Sequence, residues 1–386
     1  MKKLFIYISL LAAMTACVND DKYTWEDDFA DRTASDTITI NIAYNGENVT
    51  VTGDEYGFVS AEDANVTVKT ATNKFLQLSL SGSTTNGSLL IYSWKKLGVL
   101  LNGVDIHNPN GPAINNQCGK SFYVTTAAGT SNTLSDGSTY ATAPISAKGD
   151  TIDQKATLFS EGQIYFNGTG TLTVNGCCKN GIASDDYIVF ESGTINVNVS
   201  ETGTNGVKVN DGLTINGGTL AIDVKADGAR GVKNDSYTTI TGGDITINTS
   251  GNCLIETNDG IEDTTSCAGI KCDSLFSMKG GTLTIKSTGD GGKGINCDQN
   301  IELSGGSMTV ATTGNNINSK PKAVKSNTGI ILSGGSFRAT TSKSWACDNG
   351  YENDNETDTQ IAQKRVTIIG TPQTKSLSKK TMIVIF

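Results

Sequence analysis

Residues 206–224 read GVKVNDGLTINGGTLAIDV. Val207 and Val209, then Leu213 and Ile215, then Leu220, Ile222 and Val224 alternate with polar residues, and Asn-Asp-Gly and Asn-Gly-Gly separate the three runs. Period-two burial broken by turn residues predicts three short strands, and no helical period competes with it. The same register returns along the chain. Gly181-Ile182-Ala183, Gly206-Val207-Lys208, Gly231-Val232-Lys233, Gly269-Ile270-Lys271, Gly294-Ile295-Asn296 and Ala323-Val324-Lys325 are spaced 25, 25, 38, 25 and 29 residues apart. A second motif, from Gly193-Thr194-Ile195 through Gly218, Gly243, Gly281 and Gly306 to Gly335-Ser336-Phe337, keeps the same irregular spacing.

A three-strand unit cannot bury its own apolar face, so successive units must stack, each strand pairing with its copy about 4.8 Å away. The expected fold is all-β: a single-stranded parallel β-helix (a solenoid) of about 25-residue coils with terminal caps. Leu213, Thr238, Phe276, Ile301 and Ile330 should form one column. Upstream, Phe159 and Leu172 stand as far apart as Ile182 and Ile195, which marks an earlier coil. Counting back to about residue 37 predicts about 12 coils and a rod of about 55–60 Å. Residues 38–68 should cap one end and Thr381–Phe386 the other, after an exposed acidic loop from Asp348 to Asp358.

Composition narrows the chemistry. The 386 residues include 44 Gly, 5 Pro and one histidine, His107, with a net charge of −9. An acidic chain lacks the basic footprint that phosphate binding needs, so nucleic acid is not an expected partner. One histidine cannot fill the usual zinc or Ser-His-Asp roles.

Lys2 and Lys3 precede an apolar run that ends at Met14-Thr15-Ala16-Cys17, which resembles a bacterial lipobox. Residues 1–17 are therefore expected to be a lipoprotein signal ending at a lipid-modified Cys17. Residues 18–36 read as an acidic tether, 37–345 as the β-helix, and 346–386 as the acidic loop and cap. Asn19-Asp20-Asp21 resembles a surface-export signal, so the expected location is the outer membrane of a Gram-negative bacterium, exposed at the cell surface. The membrane contact would be the lipid alone.

Ala156-Thr157-Leu158-Phe159-Ser160-Glu161-Gly162, Gly168 to Gly176, and Asn180-Gly181-Ile182-Ala183-Ser184 resemble the carbohydrate-binding family of secreted bacterial right-handed parallel β-helix proteins. That family is similar in fold to pectate lyases. The resemblance implies calcium, and affinity for acidic plant cell-wall polysaccharides such as polygalacturonate. Other surface proteins of glycan uptake are a further candidate class of partner.

The 38- and 29-residue steps both add residues between the third strand of one coil and the first of the next. Insertions confined to one corner of a solenoid mark its working side. Asp227, Asp259, Glu262, Asp263 and Asp290 fall at that corner and are candidate calcium ligands, as is the Asp185-Asp186 pair at the turn after the first strand. Asp185, Asn210, Asp235, Asp273, Asp298 and Asn327 share one repeat position and read better as a turn ladder bonding nearby backbone, since Asn alternates freely with Asp there. Lys208, Lys233, Lys271, Asn296 and Lys325 form an outward row that either meets uronate carboxylates or is neutralised by neighbouring Asp. Tyr92, Trp94, Trp345 and Tyr351 are candidate sugar-stacking aromatics. Cys272 and Cys297 should be stacked inward, as a disulfide or as thiols. The expected function is non-catalytic polysaccharide binding. The alternatives are a calcium-dependent lyase, with Lys233 or Lys271 as base, and an adhesin or surface stalk.

Overall fold

The computed structural model describes residues 36–146, 149–258 and 260–386. The expected leader, lipidated Cys17, nearly all of the tether, and Asp259 lie outside the described residues. Among the described residues no helix is long and apolar enough to cross a membrane.

The chain winds into an all-β parallel solenoid of about 11 turns with coils of about 25 residues. First strands stack into a sheet running from Ala64–Thr70 through Asn180–Ser184 and Val207–Val209 to Cys347–Asp348. Second and third strands stack on the other two faces. The predicted column is exact: Leu213 pairs with Thr238, Thr238 with Phe276, Phe276 with Ile301 and Ile301 with Ile330. Inward residues of all three faces meet in one continuous core, where the stacked Phe166 and Phe190 rings lie 4.8 Å apart. The corner between second and third strands needs glycine. At Gly218, with φ +78°, an added Cβ would lie 2.6 Å from the Gly193 carbonyl oxygen of the coil below.

Upstream the register departs from expectation. Leu158, not Phe159, pairs with Ile182, and Phe159 pairs with Ala183 on the outward side. A one-residue shift in a strand exchanges its two faces. Phe159 is nevertheless fully buried, in a small cluster with Ala156 and Ala183 outside the main core. The step from Ile114 to its partner Leu158 explains how. It is far longer than a coil and spends its extra residues on a strap, described over 137–146 and 149–155, which lies over the outward face of the first sheet. The strap is held by the Ala141 amide on the Asn110 carbonyl at 2.8 Å and by Asn115 Nδ2 on the Asp153 carbonyl at 2.9 Å. The strap consumes residues that an even count would assign to a further coil, hence about 11 turns rather than 12.

Both ends are capped. Thr37–Asn45 pairs in parallel with Phe75–Thr84 and antiparallel with Asn48–Thr52. At the other end Thr381–Ile385 closes antiparallel on Ser336–Thr341. The winding runs past residue 345, because Cys347–Asp348 and Thr367–Ile368 still add rungs. The acidic segment is not wholly exposed: Asp348 is buried on the Arg365 guanidinium at 2.5 Å, and Lys322 joins them. A capped helix, Asp358–Lys364, follows.

Candidate functional site

The lysine row forms in register. Lys208 pairs with Lys233, Lys233 with Lys271, Lys271 with Asn296, and Asn296 with Lys325. Its counter-charges come from the turn after the first strand, not from the insertion corner. Lys271 Nζ donates to Asp273 at 2.6 Å and to Asp298, one coil on, at 2.7 Å. Lys208 donates to Asn210 at 2.8 Å and to Asp235. Lysine on the strand and Asx two residues later thus interleave along the axis, which removes the repulsion of stacked ammonium groups. Burial pulls the Lys271 pKa down, but the hydrogen bonds and charges of Asp273 and Asp298 outweigh it and the net shift is upward. A lysine held in its charged form is a poor base.

Among the described residues, Asp227, Glu262, Asp263 and Asp290 do not come together at the insertion corner. Asp227 accepts the Asn252 amide at 2.6 Å, Asn252 accepts the Asp290 amide at 2.9 Å, and Asp290 accepts the Asn315 amide at 2.7 Å. These residues form a second Asx ladder that ties one coil's backbone to the next. Glu262 and Asp263 are exposed neighbours on Ile261–Thr265, one arm of a hairpin whose other arm is Leu254–Asn258. Consecutive strand residues point to opposite sides, so the two cannot chelate together.

The carboxylates that do meet are Asp153 on the strap, Glu161, and Asp185 one coil further on; their oxygens lie within 4.8 Å of one another. Asp185 was expected as a ligand; Asp186, its neighbour, is not in this group, and its carboxylate accepts the Tyr187 amide at 2.9 Å. Glu161 extends the Asx row backward, as the partner of Asp185 through the Ser160–Ser184 register. Its register was readable from the repeat, whereas Asp153 belongs to the strap, which has no repeat signature. Burial raises the Glu161 pKa, and the charges of Asp185 and Asp153 raise it further. Lys155 bridges the other two, at 2.6 Å from Asp153 and 2.5 Å from Asp185. The donor set, three hard oxygen ligands under mutual repulsion, suits calcium. An ion there would take the place of the Lys155 ammonium.

Other cations divide into buried and open groups. Burial lowers the Lys293 pKa to about 8, and its ammonium donates to the Gly291 and Lys320 carbonyls, both at 2.9 Å, and to Ser319 Oγ at 2.6 Å. This lysine locks the loop ahead of Lys322. At the opposite end Lys74, Lys95 and Lys96 surround a cavity of about 320 Å³ that also exposes part of Phe75. Trp94, 78 % exposed, stands beside them.

Trp345 and Tyr351 belong to the C-terminal cap. The Trp345 ring carries Arg365 at 4.2 Å and Lys379 at 4.9 Å, and Tyr351 hydrogen-bonds Glu356 while Lys364 lies over its ring. Both ring systems are engaged by the protein itself. Cys272 and Cys297 are inward and in register as predicted, and the cysteines among the described residues are thiols.

The molecule is thus a parallel β-helix with a polar first-sheet face, its strap and its hairpin both inserted between a third strand and the next first strand. The chain belongs to the family of carbohydrate-binding domain-containing proteins, whose model matches residues 62–239 and 222–316. Among solved structures it is similar to the polysaccharide lyase-like protein from C. thermocellum, determined as a gadolinium derivative. The TM-score is 0.56 at 23% identity, covering 69% of this chain and 97% of that one. No curated protein matches the chain.

Proposed function

We propose that this protein binds polysaccharide chains along the outer face of its first sheet and does not cleave them. The observation that carries the reading is the family match: it spans the coils that carry the strap, the carboxylate triad and most of the interleaved lysine–Asx row. The paired lysines favour binding over elimination chemistry, since Asp273 and Asp298 hold Lys271 in its charged form and Asp153 and Asp185 do the same for Lys155, the amine beside the triad.

Acidic glycans such as polygalacturonate fit the open lysines at the N-terminal coils, Lys74 and Lys95, better than Lys208 and Lys271, whose charges are already met by Asp235, Asp273 and Asp298. Calcium, where it takes part, would be held by Asp153, Glu161 and Asp185, supplying a cation that bridges protein and uronate carboxylates. Attachment to the outer membrane through a lipid on Cys17, and delivery of glycan to other surface uptake proteins, complete the proposal.

A glycan array with and without calcium tests it, with unsaturated uronate ends assayed in the same wells. Binding to at least one polysaccharide without new unsaturated ends is the expected result. Accumulating unsaturated ends would make the protein a lyase, and failure to bind any glycan would leave the adhesin or stalk reading.

A further inference from the structure

The strap, through Ala141, Thr142, Pro144 and Gln154, also roofs a second feature of the first three coils. Between it and the first sheet lies a cavity of about 230 Å³ whose lining contains no charged side chain. Its polar side chains are six amides and the hydroxyls of Ser88 and Thr142. Asn86, Asn110 and Gln154 present side-chain amides with no hydrogen-bond partner among the described residues, and Asn65 accepts from Ser88 Oγ at 2.9 Å with its NH2 group left over. Leu90 and Pro112 supply apolar surface between them. The walls are pre-set: Asn108 Nδ2 is fixed on the Pro112 carbonyl at 2.7 Å, and Asn115 ties the roof through Asp153.

We infer that this groove is a subsite for one uncharged sugar ring of a bound glycan. The inference rests on the polysaccharide-binding reading and gives it a place and a chemical class. A side-chain amide carries both donors and acceptors, which is what vicinal hydroxyls need, and the apolar patch suits the C–H face of a pyranose. A carboxylate or sulfate placed here would lose its hydration without gaining a counter-charge, which is costly. The groove therefore selects neutral units, and its lining shares no residue with the cavity of the open lysines.

The test is calorimetric titration of the full chain with uncharged hexasaccharides of β-linked glucose, mannose and xylose, and with hexagalacturonate for comparison. The proteins are wild type, Asn86→Ala/Gln154→Ala, and Gly111→Val, which fills the groove floor beside Asn108 and Gln154. Wild type should bind at least one neutral oligosaccharide with an affinity unchanged between low and high salt. Both variants should lose it at least tenfold while melting as wild type does. The inference is overturned if wild type binds only hexagalacturonate, or if the double variant binds the neutral ligand as tightly as wild type. In either case the polysaccharide-binding reading survives, and it falls with this one only if no oligosaccharide binds.

Discussion

Glu161 occupies a row that holds Asx in the following coils, and its longer side chain meets the carboxylates Asp153 and Asp185, whereas Asp235, Asp273 and Asp298 pair with lysines and Asn327 donates to Asp298. Because its pKa is raised in the folded protein, folding favours the protonated form. The stability it contributes is complete below the ordinary glutamate range and is lost as pH rises through the folded pKa. In chelator at pH 7, Glu161→Gln should therefore raise the melting temperature by about 1–3 °C, the half-exposed site limiting the gain, and the difference should vanish near pH 4. Thermal melts at the two pH values decide it, and a lower melting temperature at pH 7 would contradict the crowded-carboxylate geometry. Added calcium should stabilise wild type by mass action and the glutamine variant much less. At this scale the Asx and lysine rows were legible because the repeat aligns them. Their pairing with each other was not, because Lys208 reaches an Asp one coil away, at Asp235, and nothing in the spacing sets that reach.

Strands and insertions obey different rules. Thr282–Ser287 buries Leu283 and Ile285 and exposes Thr284 and Lys286. One residue added between Leu283 and Thr284 sends the apolar residues outward and should lower the melting temperature by more than about 10 °C. Shortening the exposed hairpin of Leu254–Asn258 and Ile261–Thr265 by deleting 257–262 should cost less than about 2 °C, since Ile255 and Ile261 are largely solvated. Equal losses in differential scanning calorimetry would refute the stacked-coil assignment. The hairpin was readable as an insertion from the 38-residue step. The strap was not, because its coils depart from the Gly-Val-Lys pattern and the Leu158–Phe159 pair offers two apolar residues for one inward position.

Across the whole molecule, stability depends on closing the ends of an otherwise open stack. Met382 and Val384 are fully buried, and the strand that holds them covers the last third-sheet edge. Truncation before Thr374 should uncover Ser336–Thr341 as a free edge and produce concentration-dependent oligomers in light scattering. A monodisperse truncated monomer would show that the cap is dispensable.

Sequence alone determined the solenoid, its coil length, its inward columns and the corner that takes insertions, because period-two burial and a fixed repeat leave stacking as the way to hide the apolar faces. Only the tertiary structure decided which polar groups meet. Asp153 and Asp185 are 32 positions apart, and Asn86 and Gln154 are 68 apart; the strap that gathers them is placed by hydrogen bonds to Asn110 and Asn115 rather than by any periodic signal. A repeat specifies what lies beneath and above each residue, but a non-repeating segment finds its place only against the finished surface.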